Sequence, residues 1–121
     1  MTAPSGSSAS VRIISRARDR LERAVEELTG RLLREHPDLE RVIWFGSWIT
    51  GRPGPGSDVD LCLVLRESPL PFRERIPRFL PDGFPVGLDL FPYTIAELEQ
   101  LRLDSPQWHR CLTGGRVITR A

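Results

Sequence analysis

Two short apolar runs separated by a loop rich in glycine and proline constrain this chain more than any other feature. The segment Val42 to Leu65 reads VIWFGSWITGRPGPGSDVDLCLVL. Its first run closes on Gly46-Ser47, ten residues follow, and Asp58-Val59-Asp60 opens the second run, Leu61 to Leu65. Such runs read as strands, and a strand that stays apolar at consecutive positions is covered on both faces, so helices are expected to pack against the sheet. Alternate side chains of an extended chain share a face, which points Asp58 and Asp60 the same way, about 7 Å apart along the strand. Two carboxylates at a strand mouth suit a hard divalent cation, which takes oxygen ligands and keeps positions open for substrate phosphates. Gly46-Ser47 suits the phosphates themselves. Glycine lets backbone approach closely, and the serine hydroxyl and the N–H groups opening the next turn can hold a triphosphate.

The rest of the chain frames that stretch. At 121 residues it is read as one domain, residues 11–121, behind a small polar leader, residues 1–10, expected to be disordered. Val11, Ile14, Leu21, Val25, Leu28 and Leu32 recur at threes and fours and predict a long amphipathic helix, stopped at His36-Pro37. Its charged face, with Arg23 and Glu27 four residues apart, reads most simply as solvated and ion-paired; a docking face is the alternative. Arg41 to Phe45 is the first strand and Asp58 to Leu65 the second, with a short helical turn at Trp48-Ile49 between them. In the loop GRPGPG, which is placed where a lid would sit, Arg52 is either solvated or set to meet a phosphate. Prolines crossing Ser68 to Asp82 predict a short or broken helix. Val86 to Phe91 is strand-like, and Asp89 is its only charge. Thr94-Ile95-Ala96-Glu97 is a capping box opening a helix with an apolar stripe of Ile95, Leu98 and Leu101. Ser105-Pro106 starts a further helix through Trp108, Cys111 and Leu112, and Arg116 to Thr119 is a last short strand.

Composition excludes several classes of function. Seventeen basic and sixteen acidic residues leave a formal net charge of +1, so neither direct nucleic-acid binding nor a membrane-surface role is expected. Without an apolar stretch long enough to span a bilayer, and without a secretion-type start, the expected location is the cytoplasm. Two cysteines are too few for a disulfide framework or a zinc site, so Cys62 and Cys111 are expected as buried or half-buried free thiols. His109 is a general base by residue type only, and a surface or packing role is the simpler reading. Trp44, Trp48 and Trp108 read as core or core-edge aromatics, with Trp48, next to Ser47, also placed to border a nucleotide.

A hydrophobic strand ending in GS, ten residues, a serine before DxD, and a later strand with one acid together resemble the nucleotidyltransferase superfamily that includes DNA polymerase β. More narrowly, the pattern is similar to the minimal nucleotidyltransferase (MNT) proteins, the antitoxin half of HEPN/MNT toxin-antitoxin pairs. The likeness runs from the helix before Val42 to the strand at Val117. It implies an α/β fold, a small mixed sheet with helices packed against it. It implies catalytic and metal-ligating roles for Asp58, Asp60 and Asp89, two Mg²⁺ ions, and nucleotide binding by Gly46, Ser47 and Ser57. Asp89, otherwise explained only as an exposed edge position or an ion-paired acid, becomes the third carboxylate, nearest the attacking hydroxyl. The implied reaction is transfer of AMP from ATP to a tyrosine of a HEPN toxin held in a hetero-oligomer. The alternatives are an antitoxin that acts by binding alone and a small-molecule nucleotidyltransferase.

Overall fold

The computed structural model describes residues 3–54 and 57–120, with side chains from Arg16 onward. A helix α1 (Ala3–Glu35) leads into strand β1 (Leu39–Phe45), a single-turn helix α2 (Ser47–Thr50) and strand β2 (Val59–Leu65). Helix α3 (Phe72–Phe79), strand β3 (Leu88–Thr94), helices α4 (Ile95–Asp104) and α5 (Pro106–Thr113), and strand β4 (Arg116–Ile118) complete the order. The helix α1 starts at Ala3, eight residues before the Val11 expected from periodicity. Apolar periodicity marks only a stretch with a face to bury, and residues 3–10 carry no large apolar side chain from which a period could be read. The side chains of the expected leader, and those of Val11 and Ile14, lie outside the described residues, as do Pro55 and Gly56 of the glycine-proline loop.

The four strands form one mixed sheet in the order β3-β2-β1-β4, with β2 antiparallel to β1 and parallel to β3. Alternation along β2 sorts its residues into two cores. Val59, Leu61, Leu63 and Leu65 face Leu21, Val25, Leu28 and Leu32 of α1, while Cys62 and Val64 face Leu98 of α4 and Leu112 of α5. Every residue from Leu61 to Leu65 is fully buried, as the unbroken apolar run predicts for a strand covered on both faces. Among the described residues no helix is long and apolar enough to cross a membrane.

Both ends of β3 and the burial of two side chains differ from the sequence reading. Strand β3 begins at Leu88 and continues through Pro92 to Thr94, later than the Val86–Phe91 run. Proline is tolerated because β3 is an edge strand, where one missing N–H need not cost a ladder bond. Thr94 then ends the strand and caps α4, its hydroxyl accepting from the Glu97 N–H at 3.1 Å and its own N–H donating to the Glu97 carboxylate at 2.8 Å. Ile95, expected in the apolar stripe of α4, is exposed, and Cys111, expected to be at least half-buried, is exposed as well. The stripe of α4 consists of Leu98 and Leu101.

Arg75 on α3 was not singled out by the sequence and is almost wholly enclosed. Its guanidinium forks onto Glu97 (2.6 and 3.1 Å) and donates to the carbonyls of Leu70 (2.8 Å) and Pro92 (3.0 Å). One side chain thus ties α3, β3 and the first turn of α4 together. Removing it strands two carbonyls, so Arg75→Met is expected to cost about 2–3 kcal/mol of stability, read by denaturant unfolding. The Arg75 hydrogen bonds hold the Glu97 carboxyl below its ordinary range, against the opposing effect of burial. A depressed carboxylate contributes stability above its unfolded pKa and loses it as pH falls through the folded value. The wild type should therefore lose more stability than Arg75→Met on acidification below the ordinary glutamate range.

Candidate active site

The sheet's two faces explain why the acids collect at one end. Asp58, Asp60, Cys62 and Val64 share a side of β2, and Asp89, Phe91 and Tyr93 share the matching side of β3. The apolar half of each series lies beneath α4 and α5, and the acidic half extends past their cover to the end of the sheet. Asp60 and Asp89 are register partners on parallel strands. Across the other edge of β2, Asp60 pairs with Phe45, the last residue of β1, so that Gly46 lies beside its carboxylate. Asp58 and Asp89 are exposed and Asp60 is half-buried.

Gly46 caps α2 with φ 88° and ψ −160°, a backbone region essentially reserved for glycine. Its carbonyl accepts from the N–H groups of Ile49 and Thr50, both at 3.0 Å, which closes the single turn that presents Ser47. The N–H groups of Ser47 and Trp48 open that turn and, like those of any first helical turn, have no intrahelical partner. The Trp48 indole N–H donates to the Ser57 carbonyl at 3.0 Å, and Arg18 of α1 donates to the Trp48 carbonyl at 2.9 Å. The glycine-serine turn is therefore fastened to the residue that precedes Asp58, which brings Gly46, Ser47, Ser57 and the three carboxylates to one end of the sheet. The Ser57 hydroxyl accepts from the Gly54 N–H at 2.7 Å and keeps its own proton to donate.

Electrostatically the site is an unrelieved acidic cluster. Among the described residues none of Asp58, Asp60 and Asp89 takes part in a salt bridge, so the reading of Asp89 as an ion-paired acid does not apply. Burial raises the pKa of Asp60, and the charges of Asp89 and then Asp58 raise it further. Three carboxylates that repel one another, with no arginine between them, are a donor set suited to a hard dication. They are not a preformed cage, since no group of three His, Cys, Asp or Glu among the described residues is already close enough to enclose a metal. Asp58 and Asp89 are open to a cation arriving from solvent.

Other candidates fall away from this end. His109 lies on α5, where its carbonyl accepts from the Thr113 hydroxyl, and it makes no contact with the acids in the hydrogen-bond network. Cys62 is buried beneath them, with its thiol pushed up to about 12 by burial, so it is inert as a nucleophile. Arg52 is exposed and, among the described residues, unpaired. The residue the sequence reading missed is Gly87, beside Asp58 and directly before β3; its only sequence signal was a glycine next to a strand with one acid.

Residues 25–108 match the family model described as the nucleotidyltransferase domain. No curated protein is close enough in sequence to count as a match. A crystal structure from Sulfolobus solfataricus, described as a candidate nucleotidyltransferase, shares the fold with a TM-score of 0.58. At 22% identity the likeness covers 70% of this chain and 77% of that one.

Proposed function

The chain belongs to the nucleotidyltransferase domain family, and from that premise we propose a protein adenylyltransferase of the minimal nucleotidyltransferase type, moving AMP from ATP to a tyrosine hydroxyl of a HEPN toxin. The observation that supports nucleotidyl transfer is the register pairing of Asp60 with Asp89, beside Asp58 and the Gly46-Ser47 turn, without a cationic partner among the described residues, while ATP, the tyrosine and the HEPN toxin are what the resemblance implies. Asp58, Asp60 and Asp89 would hold Mg²⁺, which supplies charge neutralisation to the triphosphate and polarises the α-phosphate. The Ser47 and Ser57 hydroxyls and the first N–H groups of α2 bind phosphate oxygens. Asp89, exposed on the edge strand, is open to an incoming acceptor and takes the proton of its hydroxyl. The acceptor oxygen bonds to the α-phosphorus, the bond from that phosphorus to the bridging oxygen breaks, and pyrophosphate leaves.

Intact-mass spectrometry of a HEPN partner tests the proposal. With ATP and Mg²⁺ the partner should gain one or more AMP units and stay inactive after this protein is washed away. Unchanged mass with inhibition that reverses on separation would favour neutralisation by binding alone. AMP found on a small molecule in place of the partner would favour the third reading.

A further inference from the structure

Gly87 stands beside Asp58, just before β3, and its carbonyl accepts the Val59 N–H at 2.9 Å, which pins the two strand entrances together. A Cβ built on Gly87 would overlap Oδ1 of Asp58 and lie 2.6 Å from its Cγ, and the three nearest atoms it would meet all belong to that one carboxylate. The glycine is not required by the backbone, because among the described residues only Gly46 and Gly51 have positive φ. What Gly87 provides is room, and Asp58 fills it.

We infer that Gly87 is a positioning residue that seats the Asp58 carboxylate against the β2–β3 edge, on the side facing Asp89. Gly46 does the same on the opposite edge, where a Cβ would lie 3.1 Å from the Asp60 Cγ. There, however, positive φ also demands glycine, so the two effects cannot be separated by substitution. At Gly87 they can. Alanine is unstrained there and meets only the movable end of an aspartate, so the backbone keeps its place while the carboxylate is turned out of its seat. The inference rests on the proposal that Asp58 holds a cation, and it assigns to a residue without a side chain part of the control of that cation's affinity.

The experiment is calorimetric titration of Mn²⁺ into wild type, Gly87→Ala, Asp58→Asn and the double variant, in the presence of a non-hydrolysable ATP analogue, with thermal midpoints recorded alongside. Gly87→Ala should bind Mn²⁺ about 10- to 100-fold more weakly, the usual loss when the support of a metal ligand is removed. Its midpoint should stay at the wild-type value. In the Asp58→Asn background the same substitution should weaken binding no further, because its effect runs through Asp58. Equal Mn²⁺ affinity in wild type and Gly87→Ala, with Asp58→Asn impaired, would overturn the role of Gly87 alone. Additive losses in the double variant, or a lowered midpoint in Gly87→Ala, would show a structural effect and overturn it too. Failure of the wild type to bind Mn²⁺ would overturn the metal reading of the site and this inference with it.

Discussion

Nucleotidyl transfer by the Asp58→Asn/Asp60→Asn protein is expected to fall by about a thousandfold or more, with a thermal midpoint equal to or above that of the wild type. The loss follows from removing two of the three charges that would hold Mg²⁺ and, through it, the triphosphate. The stability follows from Asp60, whose pKa is raised by burial, Asp89 and Asp58. A carboxyl whose folded pKa lies above its unfolded value binds its proton more tightly when folded. Its ionised form therefore destabilises the fold as pH rises through that range. Asparagine keeps the shape and removes that charge. Thermal unfolding at neutral pH and labelled-nucleotide transfer measure the two halves, and a double variant that still transferred would remove these residues from the mechanism.

Asp89→Asn should abolish the mass gain of an acceptor protein, with a rate loss of at least about a hundredfold, while leaving association with that protein nearly unchanged. The size of the loss is that of a general base, before any metal ligation is counted. Association survives because Asp89 is one exposed carboxylate on an edge strand without an ion pair among the described residues, and single polar positions of that kind contribute little to an interface. Intact-mass spectrometry and co-purification, run side by side with the wild type, separate the two properties. Weakened association with unchanged modification would mean that Asp89 serves docking and not chemistry.

Much of this arrangement was legible because it is local. The apolar run after Asp60 announced a strand covered on both faces, and alternation alone put Asp58 and Asp60 on one side of it. The Thr94–Glu97 capping box marked the start of α4 to the residue. What escaped was long-range or negative. Arg75 reads as one more charge on a short amphipathic helix until a carboxylate twenty-two residues later closes on it. The start of α1 escaped because periodicity reports burial and not helicity. Gly87 escaped because its contribution is an absent methyl group, visible only when the neighbouring carboxylate is seen in the space.

The most direct test is transfer from ATP labelled at either the α- or the γ-phosphate, with Mg²⁺ and a HEPN partner. The account predicts that the α-label becomes covalently attached to the partner, that the γ-label leaves as pyrophosphate, and that both events vanish in Asp60→Asn. Covalent γ-label would show phosphoryl transfer, and full partner inhibition with neither label attached would show occlusion; either result would contradict an adenylyltransferase.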